Sequence, residues 1–249
     1  MILSGYQFMV KSIANQRPAL NNIWSEVFPA NGPQAKSLIE ISGASGTGKR
    51  IVLYELMARA SLPIYYGGKY SQIIFVDCCQ KFDWDFYKKC VENVMNQNVL
   101  ICSQKAVRYN YESIIHLPCY LADQFEFAFV DIEELLWDYK KVSLLAIDGL
   151  DTFYWDDCNT QLQRMTTHYK KLLQRLKSLC QEHNICCAYT VDANYVLPKS
   201  KINAYFPHSL IDYKLKLVKH SDGRRYFNDS PIEINNNGIE FTNNKFFDI

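Results

Sequence analysis

The sequence predicts an α/β fold: a mainly parallel sheet with helices on both faces and antiparallel strands at the C-terminal end. Three observations carry this. Strand-patterned and helix-patterned segments alternate from residue 37 onward. A glycine-rich loop joins the first strand to the first helix. A short apolar run later in the chain ends on an aspartate, as a fully buried strand does where it meets a site at the sheet edge.

The elements follow in order. Residues 1–36 form a lead-in, with a helical pattern over Tyr6–Asn15 and then the breakers Pro18, Pro29, Gly32 and Pro33. The core is assigned to 37–249. Ser37–Ser42 reads as a strand and Lys49–Ala60 as a helix, with Ile51, Val52, Leu56 and Met57 at helical spacing. Gln72–Val76 is a strand, Asp83–Asn96 a helix, Ser113–Leu117 a strand and Asp131–Tyr139 a helix. Ser143–Ile147 is a buried strand. Cys158–His183 is a long amphipathic helix with Leu162, Met165, Tyr169, Leu172, Leu176 and Leu179 on one face, and Ile185–Thr190 is a strand. From Leu210 the pattern is strands and turns, with Asp222–Gly223 as a hairpin signal, and these strands are expected to be antiparallel.

Composition narrows the function classes. The 249 residues are 48% hydrophobic and 21% charged, enough for one large core. With 27 basic and 26 acidic residues the chain is no bulk polycation, so any nucleic-acid contact must come from a local patch. No apolar run approaches the roughly 20 residues that span a bilayer, so no membrane role is expected. The nine cysteines are odd in number and include no Cys-x-x-Cys pair, which points to free thiols in a reducing compartment and away from a zinc site.

The chemistry-bearing motif is Gly43-Ala44-Ser45-Gly46-Thr47-Gly48-Lys49-Arg50. Glycines let successive N–H groups curl toward one phosphate, the following helix adds its positive end, and Lys49 reaches the outer phosphates. The candidate nucleotide-binding residues are Gly43, Ser45, Gly46, Thr47, Gly48, Lys49, Arg50 and Asp148, the last closing the Walker B string Leu144-Leu145-Ala146-Ile147-Asp148. The eighth loop position normally holds the Ser or Thr that ligates magnesium, and here it is Arg50. A guanidinium is permanently charged and has no acceptor atom, so it cannot ligate a cation.

These residues, together with Phe75-Val76-Asp77 and Phe82, Phe153-Tyr154-Trp155 after Asp148, Ile211-Asp212-Tyr213, Leu217-Val218-Lys219-His220 and Gly238-Ile239-Glu240-Phe241, resemble the RecA-like recombinase paralogues of eukaryotes. The resemblance implies a RecA-like P-loop ATPase core acting in homologous recombination and double-strand break repair in the nucleus. It also implies a glutamate shortly after the second strand to orient the attacking water, a place held here by Cys79 in Asp77-Cys78-Cys79-Gln80. Asp83 and Asp85 lie further on, in the next helix, and are not expected to replace it. The family's Asn-Gln sensor reads here as Thr190-Val191-Asp192. Metal ligand, base and sensor are all altered. The expectation is therefore a non-catalytic accessory subunit with no catalytic residues and no metal site, with ATP as the candidate cofactor and magnesium disfavoured. The alternative is an active DNA-dependent ATPase.

Two family loops imply contact with single-stranded or branched DNA. The first, Asp151–Asn159, is acidic and should repel phosphates. The second, Asp192–Ser209, carries Lys199, Lys201 and Tyr205, which suit backbone tracking and base stacking. Polymerising members also have an N-terminal domain and a Phe-x-x-Ala hook. Residues 1–36 leave no room for that domain, and Phe8 and Phe28 are followed three positions later by Lys11 and Asn31. The implied partners are other recombinase paralogues, especially the D-type, with this chain as an end subunit.

Overall fold

The computed structural model describes residues 16–98, 104–156, 164–196, 208–235 and 238–242. Its centre is a nine-stranded sheet. In chain order the elements are β1 (Leu38–Gly43), α1 (Lys49–Ser61), β2 (Gln72–Asp77), α2 (Trp84–Asn98), α3 (Gln104–Glu112), β3 (Ile114–Pro118), α4 (Ala122–Asp138), β4 (Val142–Asp148), α5 (Met165–His183), β5 (Cys186–Asp192), the one-turn α6 (Ala193–Val196), β6 (Tyr213–Lys219), β7 (Arg225–Phe227), β8 (Ser230–Asn235) and β9 (Gly238–Phe241). The strand order is β3-β2-β4-β5-β1-β6-β7-β8-β9.

The pairs from β3 to β6 are parallel and those from β6 to β9 antiparallel. The expected mainly parallel sheet with an antiparallel tail is thus present, with one correction. The first tail strand, β6, runs parallel to β1, with Ile39 opposite Tyr213 and Gly43 opposite Leu217. Only the hairpin turn at Asp222–Gly223 reverses the direction.

The side-chain period of two divides the core into two layers. Ile39, Ile41, Ile73, Phe75, Leu144 and Ala146 face α1, α2 and α3. Leu38, Ile74, Val76, Leu145, Ile147 and Val191 face α4 and α5. Helices therefore cover both faces, which explains why β1, β2 and β4 are buried almost throughout. The second layer also holds a polar group: Tyr169 donates to Oε2 of buried Glu40 at 2.6 Å and meets the Tyr189 hydroxyl at 2.9 Å. A buried carboxylate is tolerated where such donors satisfy it.

Three helices depart from expectation. Helix α3 was not anticipated, because only Ala106, Val107 and Asn110 of its nine residues are buried and its sequence is polar. Helix α4 begins at Ala122 rather than 131, since Phe125, Ala128 and Phe129 continue the buried stripe upstream. Helix α5 begins at Met165, and the expected first turns over 158–163 lie outside the described residues, as does the pattern over Tyr6–Asn15. Among the described residues, no helix is long and apolar enough to cross a membrane.

The lead-in joins the same core. Leu20, Ile23, Trp24 and Phe28 are buried with the first layer. The Arg17 guanidinium donates to the carbonyls of Leu136, Tyr139, Val142 and His183, so it caps the C-terminal ends of α4 and α5 together.

Helix α1 is buried nearly all round, and its one acidic residue is enclosed with it. Glu55 is fully buried, accepts from the N–H of Ile239 in β9 at 2.6 Å, and lies 3.6 Å from Arg59. Burial pushes its carboxyl up to about 7, against the opposing pull of the Ile239 N–H and Arg59. The folded state therefore holds this proton more tightly than the unfolded chain does. Its contribution to stability is present at low pH and falls as pH rises from the unfolded value of 4.5 through about 7, a loss on the order of 3 kcal/mol. We expect the difference in unfolding free energy between Glu55→Gln and wild type to change across pH 5–7 and to be constant above 8. Denaturant titrations at stepped pH check this, and parallel curves for the two proteins would contradict it.

Candidate nucleotide site

Parallel strands end together at one edge of the sheet, where α/β folds place their ligands. At that edge Gly43 of β1 is in register with Asp192 of β5, and Asp77 of β2 with Asp148 of β4. The loop 43–48 rises from β1 and turns into α1. Gly46 and Gly48 have φ of 74° and 106°, conformations that glycine adopts without strain. At Gly48 a Cβ would also come within 2.3 Å of the Ile234 side chain, so β8 packs directly against the loop.

The result is a cavity of about 600 Å³ lined by loop residues 44–50, with Cys79, Asp148, Thr152 and Thr190 on its far side. Ser45, Gly46, Thr47, Gly48, Lys49, Arg50 and Asp148 all line it. Gly43 lies just behind them, its carbonyl accepting from Lys49 Nζ at 2.5 Å. Lys49 also reaches the Ala44 carbonyl at 3.0 Å and stands 4.0 Å from Asp192. Thr47, buried, donates to Ala44 O at 2.8 Å, which holds the loop closed on itself.

The departures from an ordinary phosphate site meet at Asp148. Arg50 Nε donates to Asp148 Oδ2 at 2.5 Å, joining residues 98 apart in sequence. Thr190 Oγ1 donates to Asp148 Oδ1 at 2.7 Å and accepts from the Gly149 N–H at 2.7 Å. Burial lowers the Arg50 pKa, but the charge and hydrogen bond of Asp148 outweigh it and the net shift is upward. The guanidinium is a fixed charge at any working pH.

Magnesium needs oxygen ligands in near-ideal octahedral geometry at about 2.0–2.1 Å. Here the aspartate that would hold it has both oxygens engaged, and a cation that cannot ligate occupies the remaining side. The donor set does not fit the metal.

Cys79, which the family resemblance puts in the place of a water-orienting base, lines the cavity. Its Sγ is 3.7 Å from Thr152 Oγ1. A Cβ on Gly149 would come within 2.5 Å of that sulfur, and Gly149 has φ 88°, so the thiol fits only because this position is glycine. Burial and the Asp148 carboxylate push the Cys79 thiol up, against the pull of Thr152 and Arg50. It is a thiol, not a thiolate, at neutral pH and a weak base toward water. Asp83 also lines the cavity, yet its Oδ1 accepts from the N–H groups of Asp85 and Phe86 and so caps α2. The carboxylate is engaged in that cap.

Several lining residues carried no sequence motif, among them Lys81, Arg225 and Ile234. Arg225, from β7, has a buried Nε without a hydrogen-bond partner. Its register opposite Ile232 turns it back over the loop from a strand that reads in sequence as a remote hairpin. Asp151, at the head of the first expected DNA loop, also turns inward: its Oδ2 accepts from the Asp192 N–H at 3.2 Å, and burial raises its carboxyl. Lys199, Lys201 and Tyr205 of the second expected DNA loop lie outside the described residues.

No protein-family model matches the chain. It is similar to the DNA repair protein XRCC2 of Mus musculus, with 28% identity over 160 residues. The alignment covers 57% of this chain and 56% of the relative, so the chain spans about half the length of the curated relative it matches. The match agrees with the resemblance to recombinase paralogues drawn from the motifs.

The environment of Cys79 makes one outcome checkable. Its alkylation by iodoacetamide, followed residue by residue by mass spectrometry against pH, should show a midpoint above that of an ordinary thiol. A midpoint at or below neutrality would return Cys79 to candidacy as a base.

Proposed function

We propose that this chain is a nucleotide-binding, non-hydrolysing accessory subunit of a recombinase-paralogue complex. In this reading it acts in homologous recombination and double-strand break repair in the nucleus, bound to other paralogues, the D-type among them. The observation that carries the non-catalytic part is the pairing of Arg50 with Asp148 beside the Cys79 thiol. Hydrolysis of a phosphoanhydride needs a polarised γ-phosphate and an oriented water. Here neither the metal ligand nor the base has the chemistry to supply them. The process is supported by the likeness to a DNA repair protein.

Assembly with partners is supported by surface chemistry. Among the described residues, strand β3 is one of the two edges of the sheet, and open edges recruit further strands. Beside it, α4 presents Phe127, Val130 and Trp137 to solvent at 69%, 54% and 62% exposure, spaced along one helical face. The same helix has six acidic residues and no basic one. Large exposed apolar side chains within a charged rim are the composition of a protein interface.

Phosphate release by the purified chain, alone or with co-expressed paralogues, should stay at background. Turnover that Lys49→Ala abolishes would instead establish the active ATPase. For the partner face, a Phe127→Ser, Trp137→Ser double variant should lose co-purification with a paralogue partner while keeping its melting temperature. Full retention of the partner would move the interface elsewhere.

A further inference from the structure

We infer that the cavity takes a nucleoside triphosphate without magnesium, with the Arg50 guanidinium standing in for the metal. This rests on the nucleotide reading above and deepens it. Three features point the same way.

First, charge at the site is already distributed as a metal would distribute it. In an ordinary phosphate loop the aspartate anchors a divalent cation that offsets phosphate charge. Here Asp148 anchors Arg50 at 2.5 Å instead. A guanidinium has five N–H donors, and the Asp148 bond uses Nε. The remaining donors belong to a side chain that lines the cavity and can form paired bonds to phosphate oxygens.

Second, the other acidic side chains lining the cavity are engaged. Asp148 also accepts from Thr190, Asp83 caps α2, Asp151 accepts from the Asp192 N–H, and Asp192 lies 4.0 Å from Lys49. Each already has a donor or a cation beside it. On the basic side, Lys49, Lys81 and Arg225 join Arg50 in the wall, and Arg225 keeps a buried Nε with no acceptor. An orphaned buried donor is costly, at roughly 1–3 kcal/mol, and the Arg225 guanidinium adds positive charge to the wall that a phosphate would meet.

Third, a magnesium ion carried in on the nucleotide meets the guanidinium. Two positive centres a few ångströms apart in a partly water-excluded site repel strongly. Magnesium would have to displace Arg50 from Asp148 or sit away from both. The free nucleotide is therefore held at least as well as its metal complex.

Isothermal titration of the full chain with ATP, once in excess magnesium and once in chelator, decides this. We expect the chelated Kd to equal the magnesium Kd or to be tighter, up to about tenfold. Arg50→Thr should weaken chelated binding by at least about tenfold, roughly 1.4 kcal/mol, and magnesium should then strengthen binding. Asp148→Asn, which leaves Arg50 uncompensated, should tighten chelated binding. Melting temperatures of both variants establish that they fold. Binding by the wild type that requires magnesium overturns the inference while leaving the nucleotide reading intact. No ATP binding in either condition overturns both. Chelated binding unchanged in Arg50→Thr removes the role assigned to the guanidinium.

Discussion

The C-terminal end of β4 is tied to the first turn of α1 by one ion pair, Arg50 to Asp148. Asp148 is almost wholly buried, and its other oxygen is held by Thr190 of β5. Three elements thus converge on one carboxylate at the edge of the sheet. An aspartate placed there without a partner would be an uncompensated buried charge, which is strongly destabilising. In a metal-dependent phosphate-loop site the compensating charge arrives with the ligand. Here it is covalently part of the chain. The Asp148 carboxylate is therefore compensated as folded. Thr190 closes the hydrogen-bonded cluster around it, and the Cys79 thiol lies in the same cavity wall, 3.7 Å from Thr152.

Much of this was legible in the sequence, for physical reasons. The loop 43–50 is a local motif whose glycines and lysine must be contiguous to work, so no folding knowledge was needed to find it. Asp148 could be found because buried parallel strands are apolar on both faces and a terminal carboxylate stands out against them. The substitution at Arg50 was visible, whereas its partner was not, because side chains 98 residues apart are brought together only by the order of the strands. Arg225 and Ile234 were hidden for the same reason: they belong to a C-terminal hairpin that sequence places at the sheet edge and the fold wraps back over the loop. Helix α3 escaped because so few of its residues touch the core that its periodicity is weak. Glu55 drew no notice in the sequence, since nothing local marks that β9 covers it.

The two sides of the molecule serve different ends. The layer holding α1, α2 and α3 is joined to the lead-in and the C-terminal strands through Trp24, Phe28, Tyr213 and Phe241. It encloses α1 and fixes the geometry of the loop. The layer holding α4 and α5 is satisfied inwardly by the Glu40–Tyr169–Tyr189 cluster, and it presents bulky apolar side chains outwardly from α4. Arg17 joins the ends of these two helices through four carbonyls, so the exposed face of α4 is carried on a stiff support. A rigid presenting surface lowers the ordering cost of association.

The contact between Gly48 and Ile234 has a consequence of a different kind. The strand β8 side chain occupies the very volume that a Cβ at position 48 would need. Residue 48 caps the start of α1, and residue 234 lies in β8, 186 positions further along the sequence. Substitution at either position is judged by the other, so the two are expected to vary together or not at all during divergence. Drift in the C-terminal hairpin is thereby constrained by a glycine that is itself constrained by backbone geometry. The far hairpin and the phosphate loop are thereby fitted to each other through one shared volume.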